Sequence, residues 1–334
     1  MTDLKLLIPK IAAQMKKDPA DSAVMEDMYS ACVGLCKQTE MERDCPDYRF
    51  AHDWNKALLM DAKQALATAS DLTAKGRFYD IYRKSLKYDA VDSFDSFMLY
   101  LELDRPADKR FYQPRRRVLK RFVDALQDLE DDKLDELHMS CPPRVGKSSL
   151  TMFFILWIMG RDSERSNLYC SYSDIITAAF YGGLLEILGD STTYLYKDIF
   201  PNAPLVNTNS KDEYLDIGRR KRYHSLTARS LYGTLNGACD ASGYIIADDL
   251  ISGIEEALNP DRLKSAWDKV NNNLLTRGKE KTKIIFIGTR WSLADPIGVR
   301  RDLLVNDDKF KYLRRLLVDI PALDDNEESN FDYD

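Results

Sequence analysis

The sequence lacks any apolar run of membrane length. The longest, Leu150 to Met159, is too short to span a bilayer. Met1 to Lys10 contains no apolar signal core, which predicts a cytoplasmic location. Cysteine is sparse: Cys32, Cys36, Cys45, Cys141, Cys170 and Cys239 are scattered through 334 residues, without the pattern of a secreted disulfide framework, and read as free thiols. Cys32, Cys36 and Cys45 with His52 match no standard zinc-finger spacing, so packed helical thiols are the plainer reading. Excess positive charge is also missing. The net charge is −6, whereas a passive nucleic-acid binder is usually basic overall. Any contact with DNA must therefore come from a local basic face, which a motor could still supply. No internal repeat is visible. What is present, 44% hydrophobic and 31% charged residues, is a globular composition, long enough for one large domain or two around a substantial core.

The chain is organised around Cys141-Pro142-Pro143-Arg144-Val145-Gly146-Lys147-Ser148-Ser149. Leu137-His138-Met139 before it alternates like a short buried strand, and Leu150 to Met159 after it reads as a buried helix. Strand, tight loop, Gly-Lys-Ser, helix is the context of a phosphate-binding loop, because a helix N-terminus turns unpaired N–H groups and a positive dipole end toward an anion. Lys147 would reach the β- and γ-phosphates of ATP, and the Ser148 hydroxyl would ligate Mg²⁺. The strict motif fails by one residue, since Cys141 stands where its first glycine belongs.

Residues 1–104 read as a helical region with no visible chemistry. Ala51 to Ala67 is rich in helix formers, Lys75-Gly76 marks a break, Phe78, Ile81, Tyr82 and Leu86 recur at helical spacing, and Val91 to Leu103 is helical too. Pro106 sits in a polar break at the boundary, and residues 105–323 form the core that follows. Two readings compete for the stretch beginning Arg110-Phe111-Tyr112-Gln113. Arg115, Arg116, Arg117, Lys120 and Arg121 form a solvated helix face, or Tyr112 stacks on a base and Gln113 bonds its edge. Leu168 to Tyr172 reads as a strand, Ile175 to Leu188 as a helix, and Asp212 to Ser230 as a hairpin inserted between parallel strands. Arg219 to Arg222 at its tip are either protection of an edge strand or a contact for DNA or a neighbouring subunit.

Tyr244 to Ala247 is a buried strand that ends in Asp248-Asp249, and the carboxyl ends of strands in an open parallel sheet are where ligands bind. Asp248 would hold Mg²⁺, and Asp249 would orient and deprotonate the attacking water. Pro260 to Thr276 is a helix. Lys283 to Ile287 is a further strand with Gly288-Thr289-Arg290-Trp291 at its end, well placed to sense a γ-phosphate, and Arg314 to Ile320 is the last strand. Residues 324–334 are acidic and read as a linker.

Together these motifs resemble the ATPase domain of tailed-bacteriophage terminase large subunits. The matching pieces are Pro142-Pro143-Arg144-Val145-Gly146-Lys147-Ser148, Ser171-Tyr172-Ser173, Ile245-Ile246-Ala247-Asp248-Asp249 and Gly288-Thr289-Arg290-Trp291, in family order over residues 92–323. The missing first glycine is normal there. The resemblance implies an α/β P-loop NTPase of the ASCE class, a three-layer sandwich around a mostly parallel sheet, preceded by the helical region. It implies a nucleotide site of Tyr112, Gln113, Pro143, Arg144, Val145, Gly146, Lys147, Ser148, Ser149, Thr289 and Arg290. Arg144 would touch phosphates, and Thr289-Arg290 would relay nucleotide state to DNA grip. It implies double-stranded DNA, a small terminase subunit and a portal protein as partners, a pentameric ring on the procapsid, the host cytoplasm, and absence from the mature virion.

Three departures stand out. The water-activating acid is often Glu in the family and is Asp249 here. The finger arginine often lies just before the Mg²⁺ acid, where this chain has Leu235-Asn236-Gly237, leaving Arg229 as the nearest candidate. Full-length members continue into a nuclease domain, so a truncated form or a split gene is expected, with no DNA cleavage by these residues. A helicase-like or repair ATPase is the alternative, though no second set of motor motifs follows Ile320. A non-catalytic nucleotide-binding scaffold is the third reading, opposed by the intact Lys147, Ser148, Asp248 and Asp249.

Overall fold

A computed structural model describes residues 3–190, 192–235 and 239–331. The chain divides into two compact units, residues 1–100 and 101–334, a few residues before the polar break at Pro106. Among the described residues no helix is long and apolar enough to cross a membrane.

The first unit is all helical: α1 (Leu4–Lys17), α2 (Ser22–Gln38), α3 (Pro46–Thr68), α4 (Leu72–Ala90) and α5 (Phe94–Leu101), the last running one residue past the division. Local chemistry sets the starts. The side chains of Asp3, Asp21 and Asp71 accept N–H groups of the first turns of α1, α2 and α4, and Pro46 opens α3 at a position that needs no donor. The expected break at Lys75-Gly76 is not one. Gly76 lies inside α4 and the chain turns instead at Ala69 to Asp71, where a side-chain cap outweighs the cost of about 1 kcal/mol for a helical glycine. Ile8, Met25, Met28, Leu35, Leu58 and Ile81 form its core.

Cys32 and Cys36 are buried in that core as free thiols, and the Cys36 thiol donates to the Tyr48 carbonyl at 3.7 Å. His52 turns to other partners: its ring lies between Tyr48 (4.5 Å) and Tyr88 (4.8 Å), with Nε2 3.3 Å from Asp92. Among the described residues no cluster of three His, Cys, Asp or Glu side chains could hold a metal.

The second unit is α/β. After α6 (Tyr112–Glu130) come β1 (Glu136–Ser140), α7 (Lys147–Arg161), β2 (Asn167–Ser171), α8 (Asp174–Gly189), α9 (Tyr196–Ile199), β3 (Leu205–Asn209), β4 (Tyr214–Ile217) and β5 (Leu226–Ser230). Then follow β6 (Tyr244–Asp248), α10 (Ile254–Ala257), α11 (Pro260–Lys269), β7 (Lys283–Gly288), α12 (Pro296–Asn306) and β8 (Arg315–Asp319). Among the described residues these eight strands form one sheet in the order β3-β4-β5-β2-β6-β7-β1-β8. From β5 to β8 every pair is parallel, while β4 runs antiparallel to both β3 and β5. Every residue of β1, β2 and β6 is buried, so both sheet faces are covered, as a three-layer arrangement requires.

Two expectations shift. The hairpin from Asp212 to Ser230 is present as the antiparallel pair β4–β5, with Arg219 to Arg222 in the loop between them, but it does not lie between parallel strands: β5 borders parallel β2 on one side, and β3 pairs antiparallel with β4 on the other and forms the sheet edge. The helix from Pro260 keeps α geometry only to Lys269 and continues as single π and 3₁₀ turns to Arg277. Of the stretch 324–334 expected as a linker, residues 324–331 are described: Leu323 and Ser329 form a β-bridge and Phe331 is buried.

Candidate functional site

Three strands of the parallel sheet end side by side: β6 with Asp248, β7 with Gly288 and β1 with Ser140. The loop after β1 bends sharply. Arg144 at φ 66° and Gly146 at φ 97° are both left-handed, a conformation that glycine takes freely and arginine does not. Val145 is buried and pins the loop, whereas Pro143, Arg144 and Ser148 are exposed. Helix α7 begins at Lys147 with no side chain capping it, so the N–H groups of its first turn face outward. Pro142 and Ser149 flank these groups, each partly buried.

Lys147 is nearly buried, and its ammonium converges on the neighbouring strand ends. It donates to Thr289 Oγ1 at 2.7 Å and to the Cys141 carbonyl at 3.3 Å, and lies 3.6 Å from Asp249 Oδ1. The Thr289 N–H donates to the same Asp249 Oδ1 at 3.0 Å. Thr289 thus joins the loop lysine to the carboxylate across β7, the strand lying between β1 and β6. Asp249 also has a positive φ, 40°, at the point where the chain leaves β6, and its side chain remains about one-third exposed. Backbone strain of this kind concentrates at sites where a side chain must be aimed.

Asp248 is almost fully buried. The Tyr169 hydroxyl donates to its Oδ2 at 2.9 Å, and its Oδ1 has no hydrogen-bond partner among the described residues. Burial first, and the charge of Asp249 second, push its carboxyl up to about 7, with Tyr169 and Lys147 pulling the other way. Tyr169 is itself fixed by a parallel stack on Phe180, the rings 3.7 Å apart. A carboxylate oxygen buried without a partner is costly unless something else binds it.

The other residues singled out in the sequence lie less directly at this point. Tyr112 is fully buried at the start of α6, its N–H bonded to Glu102 at 2.9 Å, so its ring is not available to stack on a base. The preceding Phe111 is the aromatic that lies against the loop. Its half-exposed ring packs so closely on Gly146 that a Cβ there would lie 2.4 Å from it, and Arg115 covers the ring at 5.3 Å. Gln113 is exposed, but its Oε1 accepts from Arg110 at 2.6 Å. Arg290 is committed to Asp295 at 2.9 Å and to the Ser292 carbonyl at 3.0 Å. Asp295 in turn caps α12, so Arg290 fixes the loop after β7 rather than facing Lys147.

Arg229 lies on β5, with β2, β6 and β7 between it and β1, roughly 19 Å away at the usual strand spacing. Its guanidinium is bonded to the carbonyls of Asp212 and Ala228. Of Leu235-Asn236-Gly237, the segment expected to carry a finger arginine, Asn236 and Gly237 lie outside the described residues.

Sequence reasoning missed Phe111 and Tyr169. Tyr169 left a signal: a tyrosine inside the buried strand Leu168-Tyr169-Cys170 needs a partner for its hydroxyl, and the nearest acids in an adjacent strand are Asp248 and Asp249. Phe111 left none, because only the phase of α6 decides which of two adjacent aromatics turns inward. A scan against models of known protein families finds no match for this chain, and a search of curated proteins finds no relative.

Proposed function

We propose that this chain is a P-loop ATPase of the ASCE class, the packaging motor domain of a terminase large subunit, which hydrolyses Mg-ATP to drive double-stranded DNA into a procapsid. One observation carries the reading. Lys147, at the uncapped start of α7, meets Thr289 and Asp249 within 3.6 Å, beside a buried Asp248 whose Oδ1 has no partner.

The α7 N–H groups and the Lys147 ammonium offer positive charge to phosphate oxygens without reorganisation, which is the main way proteins speed phosphoryl transfer. Arg144, exposed in the loop, adds a second cation. Asp249 is open to water on one side and held by the Thr289 N–H on the other, as suits a group that orients water and takes its proton. Phe111, against Gly146, is the aromatic surface available to a base. Asp248 Oδ1 and the exposed Ser148 hydroxyl would hold Mg²⁺, which neutralises charge on the phosphate oxygens when bound. Two protein ligands suit Mg²⁺, which keeps waters and phosphate oxygens for its remaining positions.

The same reading carries the small terminase subunit and the portal as partners, a pentameric ring on the procapsid in the host cytoplasm, and an arginine supplied in trans. Arg229 fits that last role only if it leaves two carbonyls of its own chain. The deciding experiment is steady-state ATP hydrolysis at rising protein concentration, with and without duplex DNA. Specific activity that climbs with concentration and with DNA is expected, since a trans arginine contributes on the order of a thousandfold. Flat activity would remove the ring motor, and absence of nucleotide binding would remove the ATPase.

A further inference from the structure

The loop between β4 and β5 holds four consecutive cations, Arg219, Arg220, Lys221 and Arg222, in a chain of net charge −6. Protection of a sheet edge does not account for them. The edge strand is β3, and these residues occupy the loop joining the next two strands in, β4 and β5. Alternate residues of the loop have different tasks. Arg219 forms a bidentate pair with Glu164, and half-buried Lys221 donates to the carbonyls of Ser163 and Arg165. At the loop's far end, His224 stacks on Tyr214 with rings 3.6 Å apart and contacts the buried Asp216 at 3.1 Å. These contacts tie the loop to the body of the unit.

Arg220 and Arg222, between the anchors, are exposed and make no ion pair among the described residues. The half-exposed Tyr223 ring lies under two cations, Arg222 at 5.4 Å and Lys279 at 5.2 Å. Lys279 comes from the turn before β7, whose main chain is fixed to Ala241 and Thr282 at 3.0 and 2.8 Å. It too is exposed and has no acidic partner among the described residues. Arg222 and Lys279 over one aromatic ring, with Arg220 two residues before Arg222 in the same anchored loop, form a positive surface.

We propose that this surface docks the phosphate backbone of nucleic acid, with Arg220, Arg222 and Lys279 as phosphate contacts beside Tyr223. It lies where the parallel strands begin, whereas Lys147, Asp248 and Asp249 lie where they end, so the two sites face opposite edges of one sheet roughly 17 Å deep. Phosphate contacts position a duplex and carry no sequence information, which suits a protein that must hold any sequence. The choice of duplex DNA as probe rests on the motor reading above; the polyanion surface does not.

The test is fluorescence anisotropy of a short labelled DNA duplex with the full chain, at a series of salt concentrations. Arg220→Ala with Arg222→Ala is expected to weaken binding about tenfold or more at low salt and to lower the slope of log K against log salt by about two. Arg220→Lys with Arg222→Lys keeps the charges and is expected to keep the slope. An unchanged affinity and slope in the alanine pair, or no DNA binding by the unaltered chain, overturns the proposal. So does competition by poly-glutamate as effective as that by DNA, which would make the surface a dock for acidic protein. Fluorescent-nucleotide binding measured on the same samples separates the two readings. Loss of DNA binding with normal nucleotide binding supports both, and loss of DNA binding in a chain that never binds nucleotide supports the surface alone.

Discussion

Two carboxylates are buried in the same sheet and are treated in opposite ways. Glu136 opens β1 and is fully buried. Both its oxygens accept from Arg300, at 2.9 and 2.7 Å, and His138 Nε2 lies 2.7 Å from one of them. Burial alone would raise its carboxyl, but His138 and Arg300 outweigh that and hold it below the usual range. Asp248 closes β6, equally buried, with one oxygen bonded to Tyr169 and the other to nothing. Its carboxyl is driven up to about 7, by burial first. The first acid is finished by its own chain and holds α12 to β1. The second is left unfinished at the edge where Lys147 and Asp249 meet. An incomplete carboxylate beside a convergent lysine is the arrangement on which the proposed nucleotide site rests, and a complete one ties two elements together.

Breaking each side should give different losses. Glu136→Gln leaves the Arg300 charge buried without its partner and is expected to cost about 3–5 kcal/mol of stability in chemical denaturation. Lys147→Ala is expected to leave stability nearly unchanged and to lower ATP turnover roughly 100- to 1,000-fold, read by phosphate release. A variant with wild-type turnover would remove the site. Asp249→Asn should spare nucleotide binding and lower turnover roughly 100-fold, because it removes only the proton acceptor.

The pH dependence sharpens the same contrast, because the two acids have opposite signs. The carboxyl of Glu136 is lower in the folded chain than in the unfolded one. Its contribution is therefore present above its ordinary value of 4.5 and is lost as pH falls through the folded value. The Asp248 carboxyl is raised from 3.8 to about 7, so the folded state holds a proton that the unfolded state has released. Stability from this residue therefore declines as pH rises through that window. Asp248→Asn, measured without Mg²⁺, is expected to raise the melting temperature by a few degrees above about pH 7 and to make no difference near pH 4. The smallest effect is expected for Thr289→Val. It removes the hydroxyl that accepts from Lys147 and donates to the Cys141 carbonyl while keeping the N–H to Asp249, and should lower turnover roughly three- to tenfold.

Much of the second unit was legible. Hydrophobic runs and their breaks located β1, α7, β2, α8, β6, β7 and β8 to within a few residues, since buried strands and helices must be apolar whatever surrounds them. The residues at the strand ends were legible because the carboxyl ends of strands in a parallel sheet lie along one edge, where Asp248 and Thr289 follow their strands directly. Position relative to neighbours was not legible. The β3–β4 hairpin's place at the sheet edge, the choice of Phe111 over Tyr112 and the binding of Arg290 by Asp295 depend on which surfaces meet, and a one-residue change in helix phase exchanges inside for outside.

The sequence by itself determined the apolar elements, the left-handed Gly146 and the order of the charged groups, because these follow from side-chain chemistry and local backbone limits. Only the tertiary structure decided which charges would be satisfied. Glu136 and Asp248 are both acids in buried strands, and the local sequence separates them only in part, through His138 two residues after the first and Asp249 beside the second. The rest of the difference comes from Arg300, distant in the chain and folded back onto β1, and from the lack of such a cation on Asp248 Oδ1 among the described residues. A charge in a low-dielectric interior is governed by the few groups within reach, and the fold alone chooses those groups.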